Sequence, residues 1–396
     1  MLSILHYTKK IVYLHRKKII KSIMKNPFTI VPYVSKEYFC DREKETETII
    51  EYLQNGSNIT LISPRRYGKT GLIYRVFDEL KQQKADIDTC YVDIYATESL
   101  DDFIKVFSEA VIASLEKKKA IKSFFQFLSG LRPKLSYDPL SGNPELTLTF
   151  LSDHEKQQTL AGILKFIEQQ DKKTIVAIDE FQQIRNYNTN MEALLRSHIQ
   201  PLRNVQFIFC GSKKHIMTEM FIDAKSPFYE STRCLYLEKI DRKTYANFIV
   251  SMFAKGKKTV TQEALDFILD WTRLHTFYTQ SLCNHLFIKN AKNIGKEEVL
   301  RSASQILEEN EQTFLQWRDL LTSHQWNYLK AVAKEQSVEK PYAAQFLQKY
   351  NIGTSANSQR LLEALIDKEL ILATSTLEGV SYSVYNVFLS RWLENL

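Results

Sequence analysis

The sequence predicts an α/β fold: a five-stranded parallel core, a helical lid behind it and a C-terminal winged helix. Three patterns carry that reading. Short apolar runs at 58–62, 89–95, 174–180, 205–212 and 233–237 are separated by helical patterns, as crossover connections between parallel strands require. Residues 241–312 are helical by pattern almost throughout. From about residue 313, three helical patterns are followed by two short strands, which spells a winged helix.

Composition narrows the class. A chain of 396 residues leaves room for one to three domains, and 44% hydrophobic content with only 11 Gly and 9 Pro describes a helix-rich globular protein. There is no run of 18 or more uncharged apolar residues, so no membrane span is expected. The five cysteines are scattered without a C-x-x-C pair, which disfavours zinc and a disulfide framework and fits a reducing cytoplasm. The net charge of +7 is concentrated at one end. Residues 1–23 hold six of the 53 Lys/Arg and no acid, leaving 47 basic against 46 acidic side chains. The remainder is therefore not a polyanion binder by composition.

Taken in order, residues 1–23 mix Lys and Arg with Leu, Ile and Tyr. A membrane-surface or nucleic-acid-binding helix, a targeting segment and an upstream extension of the reading frame are all open. The broken apolar runs and missing A-x-A-like site disfavour a secretory signal. Met24 is the expected native start, and a core domain is expected over 24–240. Phe39-Cys40-Asp41-Arg42-Glu43 leads into a helical pattern from Thr46 to Leu53, ended by the turn cluster Asn55-Gly56-Ser57-Asn58.

The first strand, Asn58 to Ile62, feeds Ser63-Pro64-Arg65-Arg66-Tyr67-Gly68-Lys69-Thr70, and a helical pattern starts at Gly71. Strand, tight loop and helix is the setting of a phosphate-binding loop, in which backbone N–H groups and the helix dipole face an anion. Pro64 through Gly71 are the candidate nucleotide-binding residues. Lys69 is expected to reach the β- and γ-phosphates, and the Thr70 hydroxyl to sit on Mg²⁺. The full Walker A form begins with Gly, and Ser63 stands there instead. That first position depends on an unusual backbone angle less than Gly68 does.

The second strand ends in Asp93 and Tyr95, and a helix is expected from Leu100 to Glu116. Pro133, Pro139, Gly142 and Pro144 then punctuate short alternating runs, which read as a β-hairpin with Ser141-Gly142-Asn143-Pro144 at its turn. Packing over the sheet edge is favoured over a contact arm. Thr174-Ile175-Val176-Ala177-Ile178 runs into Asp179-Glu180, the Walker B pattern at the carboxyl end of a buried strand. Asp179 is the candidate Mg²⁺ ligand and Glu180 the residue that activates the attacking water. Ser212 ends the next strand and is expected near the γ-phosphate. Arg233, opening the fifth, is either a γ-phosphate-sensing charge or a strand-edge ion pair.

The lid at 241–312 contains Trp271 to Gln280, and His275 there is expected to be a packed polar residue rather than a metal ligand. In the winged helix, helices are expected over Gln325–Ala333, Tyr342–Tyr350 and Ser355–Glu369, with strands 370–373 and 380–385. Residues 317–396 carry eight basic and eight acidic side chains, so phosphate neutralisation is poorly served. Packing against the core domain or contact with a protein partner is favoured over DNA.

Together these parts resemble the archaeal-type ATPase family of P-loop NTPases, which is related to AAA+ ATPases and to the signal-transducing ATPases with numerous domains (STAND). The resemblance covers most of the chain from Met24. The family loop G-P-R-R-x-G-K-T is matched by Pro64, Arg65, Arg66, Gly68, Lys69 and Thr70. The upstream F-x-G-R-E-x-E element is matched by Phe39, Arg42, Glu43 and Glu45, with Asp41 in place of Gly. Ser226 to Tyr229 match S-P-F-Y, and Tyr382, Val384, Phe388, Trp392 and Leu393 approximate the family's ending. Leu274-His275-Thr276 replaces the G-x-P turn of the lid. The resemblance implies ATP rather than GTP, since no N-K-x-D element is evident.

Overall fold

The computed structural model describes residues 26–31, 33–83, 86–115, 118–128, 134–137, 144–147, 150, 152–187, 190–289, 291–376 and 379–396. The readings made for residues 1–23 and for Ser141 to Asn143 lie outside them. The chain divides into two compact units, one containing Val31–Lys239 and the other Asn26–Ile30 with Ile240–Leu396.

The first unit runs α1 (Glu43–Gln54), β1 (Ile59–Ile62), α2 (Lys69–Gln82), β2 (Ile87–Asp93), α3 (Leu100–Ser114), α4 (Lys118–Phe127), β3 (Lys134–Tyr137), β4 (Pro144–Thr147), α5 (Asp153–Glu168), β5 (Lys173–Asp179), α6 (Met191–Ile199), β6 (Val205–Gly211), α7 (Lys214–Ile222) and β7 (Arg233–Tyr236). Five strands form one parallel sheet in the order β2-β5-β6-β1-β7. Central strands buried on both faces need near-continuous apolar sequence, and β1, β5 and β6 supply it. Alternate residues feed two cores. Ile175, Ala177, Ile208 and Leu61 pack with Leu72, Ile73 and Val76 of α2 and with Ile49 and Leu53 of α1. Val176, Ile178, Phe207 and Phe209 pack with α3, α5 and the Phe181–Phe228 cluster on the other face. The expected hairpin is present as β3 and β4, paired antiparallel from Lys134↔Thr147 to Tyr137↔Pro144.

The second unit runs α8 (Arg242–Lys255), β8 (Thr259–Val260), α9 (Gln262–Trp271), α10 (Thr276–Ile288), β9 (Asn293–Ile294), α11 (Lys296–Leu320), α12 (Ser323–Glu335), α13 (Ala344–Tyr350), α14 (Ser355–Asp367), β10 (Ile371–Thr376), β11 (Gly379–Val384) and α15 (Val387–Glu394). α12 to α14 with the β10–β11 hairpin form the winged helix. Three elements were not anticipated: the two-residue parallel pair β8–β9, and α15. α11 runs unbroken through residue 312. Residues 26–30 belong here through reciprocal hydrogen bonds between Asn26 and Asn284 O and between Asn284 and Phe28 O. The Phe28 ring lies 4.6 Å from that of Phe253.

The turn between α9 and α10 carries the sequence that departs from G-x-P. Arg273 and Leu274 both take left-handed backbone, with φ of 55° and 56°. The Leu274 N–H returns to Leu269 O at 3.0 Å, which closes α9. Around it, α15 is latched on. Arg273 binds Glu394 at 2.7 Å and Ser390 at 3.0 Å, Arg391 binds Glu394 at 2.8 Å and Trp271 O at 2.9 Å, and Phe388 packs on Trp271 and Tyr278. His275 is buried with its ring 4.6 Å from that of Tyr278. Among the described residues, no group of three or more His, Cys, Asp or Glu could hold a metal, and no helix is long and apolar enough to cross a membrane.

Candidate functional site

Sheet order assembles the site. β5, β6 and β1 are consecutive neighbours and parallel, so their carboxyl ends lie side by side. The segments leaving these strands therefore meet in one crevice: Asp179 and Glu180, then Gly211 and Ser212, then the loop from Ser63 to Thr70.

Within the loop, positive φ falls on Arg66 (64°) and Gly68 (97°) and not on Ser63. Ser63 therefore needs no glycine geometry, and its hydroxyl donates to Pro64 O at 3.1 Å. At Gly68 the constraint is conformational. A Cβ there would meet no protein atom within 4 Å, but the left-handed backbone strains any L side chain. Tyr67 is buried in the core shared by α1 and α2, and burial pushes its phenol up to about 12. Gly71 is buried in the first turn of α2.

Lys69 is the buried cation of the site, 6% exposed. Its Nζ donates to Ser63 O at 2.9 Å and Pro64 O at 3.2 Å, so the side chain folds back along the loop. Burial holds its ammonium below the ordinary lysine range, against the opposing charges of Glu180 and Asp179.

Asp179 is 4% exposed and accepts three hydrogen bonds. Thr70 Oγ1 and Tyr91 OH both donate to Oδ2, at 2.7 and 2.8 Å, and the Glu180 N–H donates to Oδ1 at 3.0 Å. Burial, with the Asp179 charge beside it, raises the Tyr91 phenol far above its usual range, so it stays a donor. Glu180 takes left-handed backbone, φ 56°, immediately after β5. Its Oε2 accepts from Ser212 Oγ at 2.7 Å and from Gln182 Nε2. Arg65 Nε lies 3.4 Å from the same Ser212 hydroxyl, and its guanidinium sits 5.5 Å over the Tyr95 ring. Arg66 is exposed.

Lys69, Thr70, Asp179, Glu180, Ser212 and Arg65 are thus brought together. Arg233 is not. It pairs with Ile59 at the amino end of β1, while the loop leaves the carboxyl end after Ile62. Parallel pairing dictates this: the first residue of β7 lies beside the first residue of β1. Tyr91 and Gln182 belong to the site and were missed by sequence reasoning. The signals were present but weak: Tyr91 is two residues before Asp93, hence on the same strand face, and Gln182 is two beyond Glu180.

The element before α1 braces the loop helix. Arg75 of α2, 1% exposed, binds Glu43 at 2.7 Å and the carbonyl of Asp41. Arg42 binds Glu45 at 2.6 Å and Glu238 O at 2.5 Å. Asp41, standing at the family's Gly position, has a φ of 59°.

The chain is similar to known proteins along most of its length. A family model described as "ATPase domain predominantly from Archaea" matches residues 39–275, and one described as "Probable winged helix domain" matches 312–395. Among solved structures, a Walker-type ATPase of Pyrococcus abyssi is 17% identical, with a TM-score of 0.64 over 93% of this chain and 99% of that one. The Aeropyrum pernix ORC2 protein in ADPNP–ADP complexes is 12% identical, with a TM-score of 0.53 over 89% and 93%. The Aeropyrum pernix ORC1 protein in complex with DNA is 12% identical, with a TM-score of 0.51 over 93% and 96%. At these identities the likeness establishes the fold. None of the curated proteins compared matches this chain.

Proposed function

This chain belongs to the family of ATPase domains found predominantly in Archaea, and we propose that it is a cytoplasmic, Mg²⁺-dependent ATPase of slow turnover, used as a conformational switch. The observation that carries the proposal is the convergence of a buried lysine, a hydroxyl–carboxylate pair and a second carboxylate at the carboxyl ends of three adjacent parallel strands.

In this reading the backbone N–H groups of Pro64 to Gly71 and the Lys69 ammonium bind the phosphates of ATP. The Thr70 hydroxyl and the Asp179 carboxylate are hard oxygen donors, the chemistry Mg²⁺ takes, and they already meet at 2.7 Å. Mg²⁺ bound there would neutralise charge on the β- and γ-phosphate oxygens. Glu180 orients the attacking water and receives its proton at Oε1 as the water oxygen bonds to the γ-phosphorus and the bond to ADP breaks. Ser212, with Arg65 beside it, lies where a γ-phosphate oxygen would be met. As a switch, ATP must prefer one arrangement by about 10⁴-fold to drive it from 1:99 to 99:1.

We assign the winged helix to contact with a protein partner rather than duplex DNA. Its exposed Arg360 shares α14 with the acids Glu363 and Asp367, and its charge is even.

The deciding experiment compares ATP affinity and phosphate release for the wild-type chain and Glu180→Gln. The variant is expected to keep its affinity and lose about 100-fold or more in turnover. Equal turnover in both proteins would remove Glu180 from the mechanism.

A further inference from the structure

We propose that Gln182 is a positioning residue for Glu180, clamping its carboxylate in the orientation that turnover requires; the inference rests on the hydrolytic reading above.

The clamp has two donors on one oxygen. Gln182 Nε2 and Ser212 Oγ both donate to Glu180 Oε2, which, among the described residues, leaves Oε1 without a hydrogen-bond donor and open to the attacking water's proton. Two donors from different segments pin that oxygen in place more firmly than one bond would. The side chain needs its own anchor here, because Glu180 sits on left-handed backbone, φ 56°, just beyond the end of β5.

Three features show that the amide is installed rather than merely accommodated. Gln182 is 5% exposed in a short 3₁₀ turn, so its side chain has one direction to go. Its Oε1 is buried with no hydrogen-bond partner among the described residues. An amide flip would offer that oxygen a new setting, but it would then face the Glu180 carboxylate oxygen and be repelled. The observed orientation therefore accepts an unpaired carbonyl, ordinarily a destabilising arrangement, to keep N–H on the carboxylate. Third, room for the amide comes from Gly211. This residue does not take positive φ, so conformation does not demand glycine there. A Cβ at that position would stand 2.6 Å from Gln182 Oε1 and would strike the Met217 side chain as well. Glycine at the end of β6 thus leaves space for the Met217 side chain, which a Cβ would meet first, and for the Gln182 amide beside it.

Ser212 gives the clamp a nucleotide-dependent half. Its hydroxyl is shared between Glu180 and Arg65, and a γ-phosphate oxygen meeting Ser212 would draw it away from the carboxylate. Gln182, buried and with its amide N–H on Glu180, then holds the orientation alone. Its loss acts on the transition state and leaves substrate binding in place.

The test is steady-state phosphate release, ATP affinity and thermal midpoint for the wild-type chain, Gln182→Leu and Gln182→Glu. Leucine keeps the volume and removes both the donor and the orphan acceptor. We expect Gln182→Leu to lose about tenfold or more in kcat, with KM and ATP affinity within about twofold and a thermal midpoint no lower. Gln182→Glu sets a carboxylate against a carboxylate and should lose more. Should the leucine variant fail to fold, Gln182→Met, whose unbranched side chain adapts to irregular space, replaces it. A kcat within twofold of wild type overturns the inference alone, as does a loss confined to KM or to the midpoint, which marks a structural residue. A wild-type chain that binds ATP and releases no phosphate overturns the hydrolytic reading and this inference with it.

Discussion

The loop at 63–70 and the turn at 272–276 solve the same backbone problem with opposite residues. Each needs left-handed conformation before a helix: at Arg66 and Gly68 ahead of α2, and at Arg273 and Leu274 ahead of α10. The loop uses glycine at its tightest point. The turn uses arginine and leucine, at roughly 1 kcal/mol or more for each non-glycine residue. The surroundings account for the difference. Around the loop, Thr70 meets Asp179 and Ser212 meets Glu180 at the strand ends, while Lys69 folds back onto the Ser63 and Pro64 carbonyls. Around the turn, α15 supplies Glu394 to Arg273 and Arg391, and Phe388 to Trp271 and Tyr278. One strained segment gathers polar and charged groups at the strand ends, the other is held by the packing of α15. Strain alone therefore does not mark a site.

The largest expected effect separates the two. Lys69→Ala should lower ATP affinity by about 100-fold or more while changing stability by only about 1 kcal/mol, because the buried ammonium it removes is already disfavoured by desolvation. Nucleotide titration and chemical denaturation on the same protein check both halves. A variant that unfolds, or one that still binds tightly, would erase the distinction drawn for the loop.

Next in size, Glu394→Gln should do the reverse. It leaves two arginines without their shared carboxylate, both it and Arg273 being more than four-fifths covered. Breaking such a pair costs about 3 kcal/mol. Denaturation should show that loss, with ATP affinity unchanged. An altered affinity would mean that the turn answers to nucleotide after all.

Why one region was legible in sequence and the other was not comes down to the range of the interactions. The loop is local: strand, glycine, lysine and helix are consecutive, and the apolar run of β5 announces its terminal acids without reference to anything else. The five strands and the three helices of the winged unit were legible for the same reason. Arg233 was left open between two roles because its register depends on which strand β7 joins, and a four-residue strand carries no record of its partner. Tyr91 reaches Asp179 across 88 positions, and Arg273 reaches Glu394 across 121. The eight residues of α15 hold few turns of periodicity, and their contacts with Trp271 and Asp270 are as distant. The left-handed Leu274 was read as a missing glycine, when the helix packed against it is what makes leucine tolerable.

The smallest prediction sharpens the comparison at its margin, where β2 ends. Asp93 stands beside Asp179 in register, and its carboxyl is raised above the ordinary 3.8 by burial and by the charges of Asp179 and Glu180. The sign is set by proton binding. A carboxyl with a higher pKa in the folded state holds protons that the unfolded chain has released, so stability falls as pH rises from 3.8 through the raised value and stays lower above it. Asparagine cannot ionise, and its carbonyl can still accept the Tyr95 N–H that Asp93 now binds at 2.9 Å. Asp93→Asn should therefore match the wild-type thermal midpoint below that window and exceed it at neutral pH. The gain should be about 1–2 °C, since Asp93 is exposed enough for solvent to screen much of the repulsion. Midpoints measured from pH 3 to 8 give the answer. A lower midpoint at neutral pH would show that Asp93 stabilises its neighbours, and that the cluster of interacting groups extends one strand further than the loop, β5 and β6.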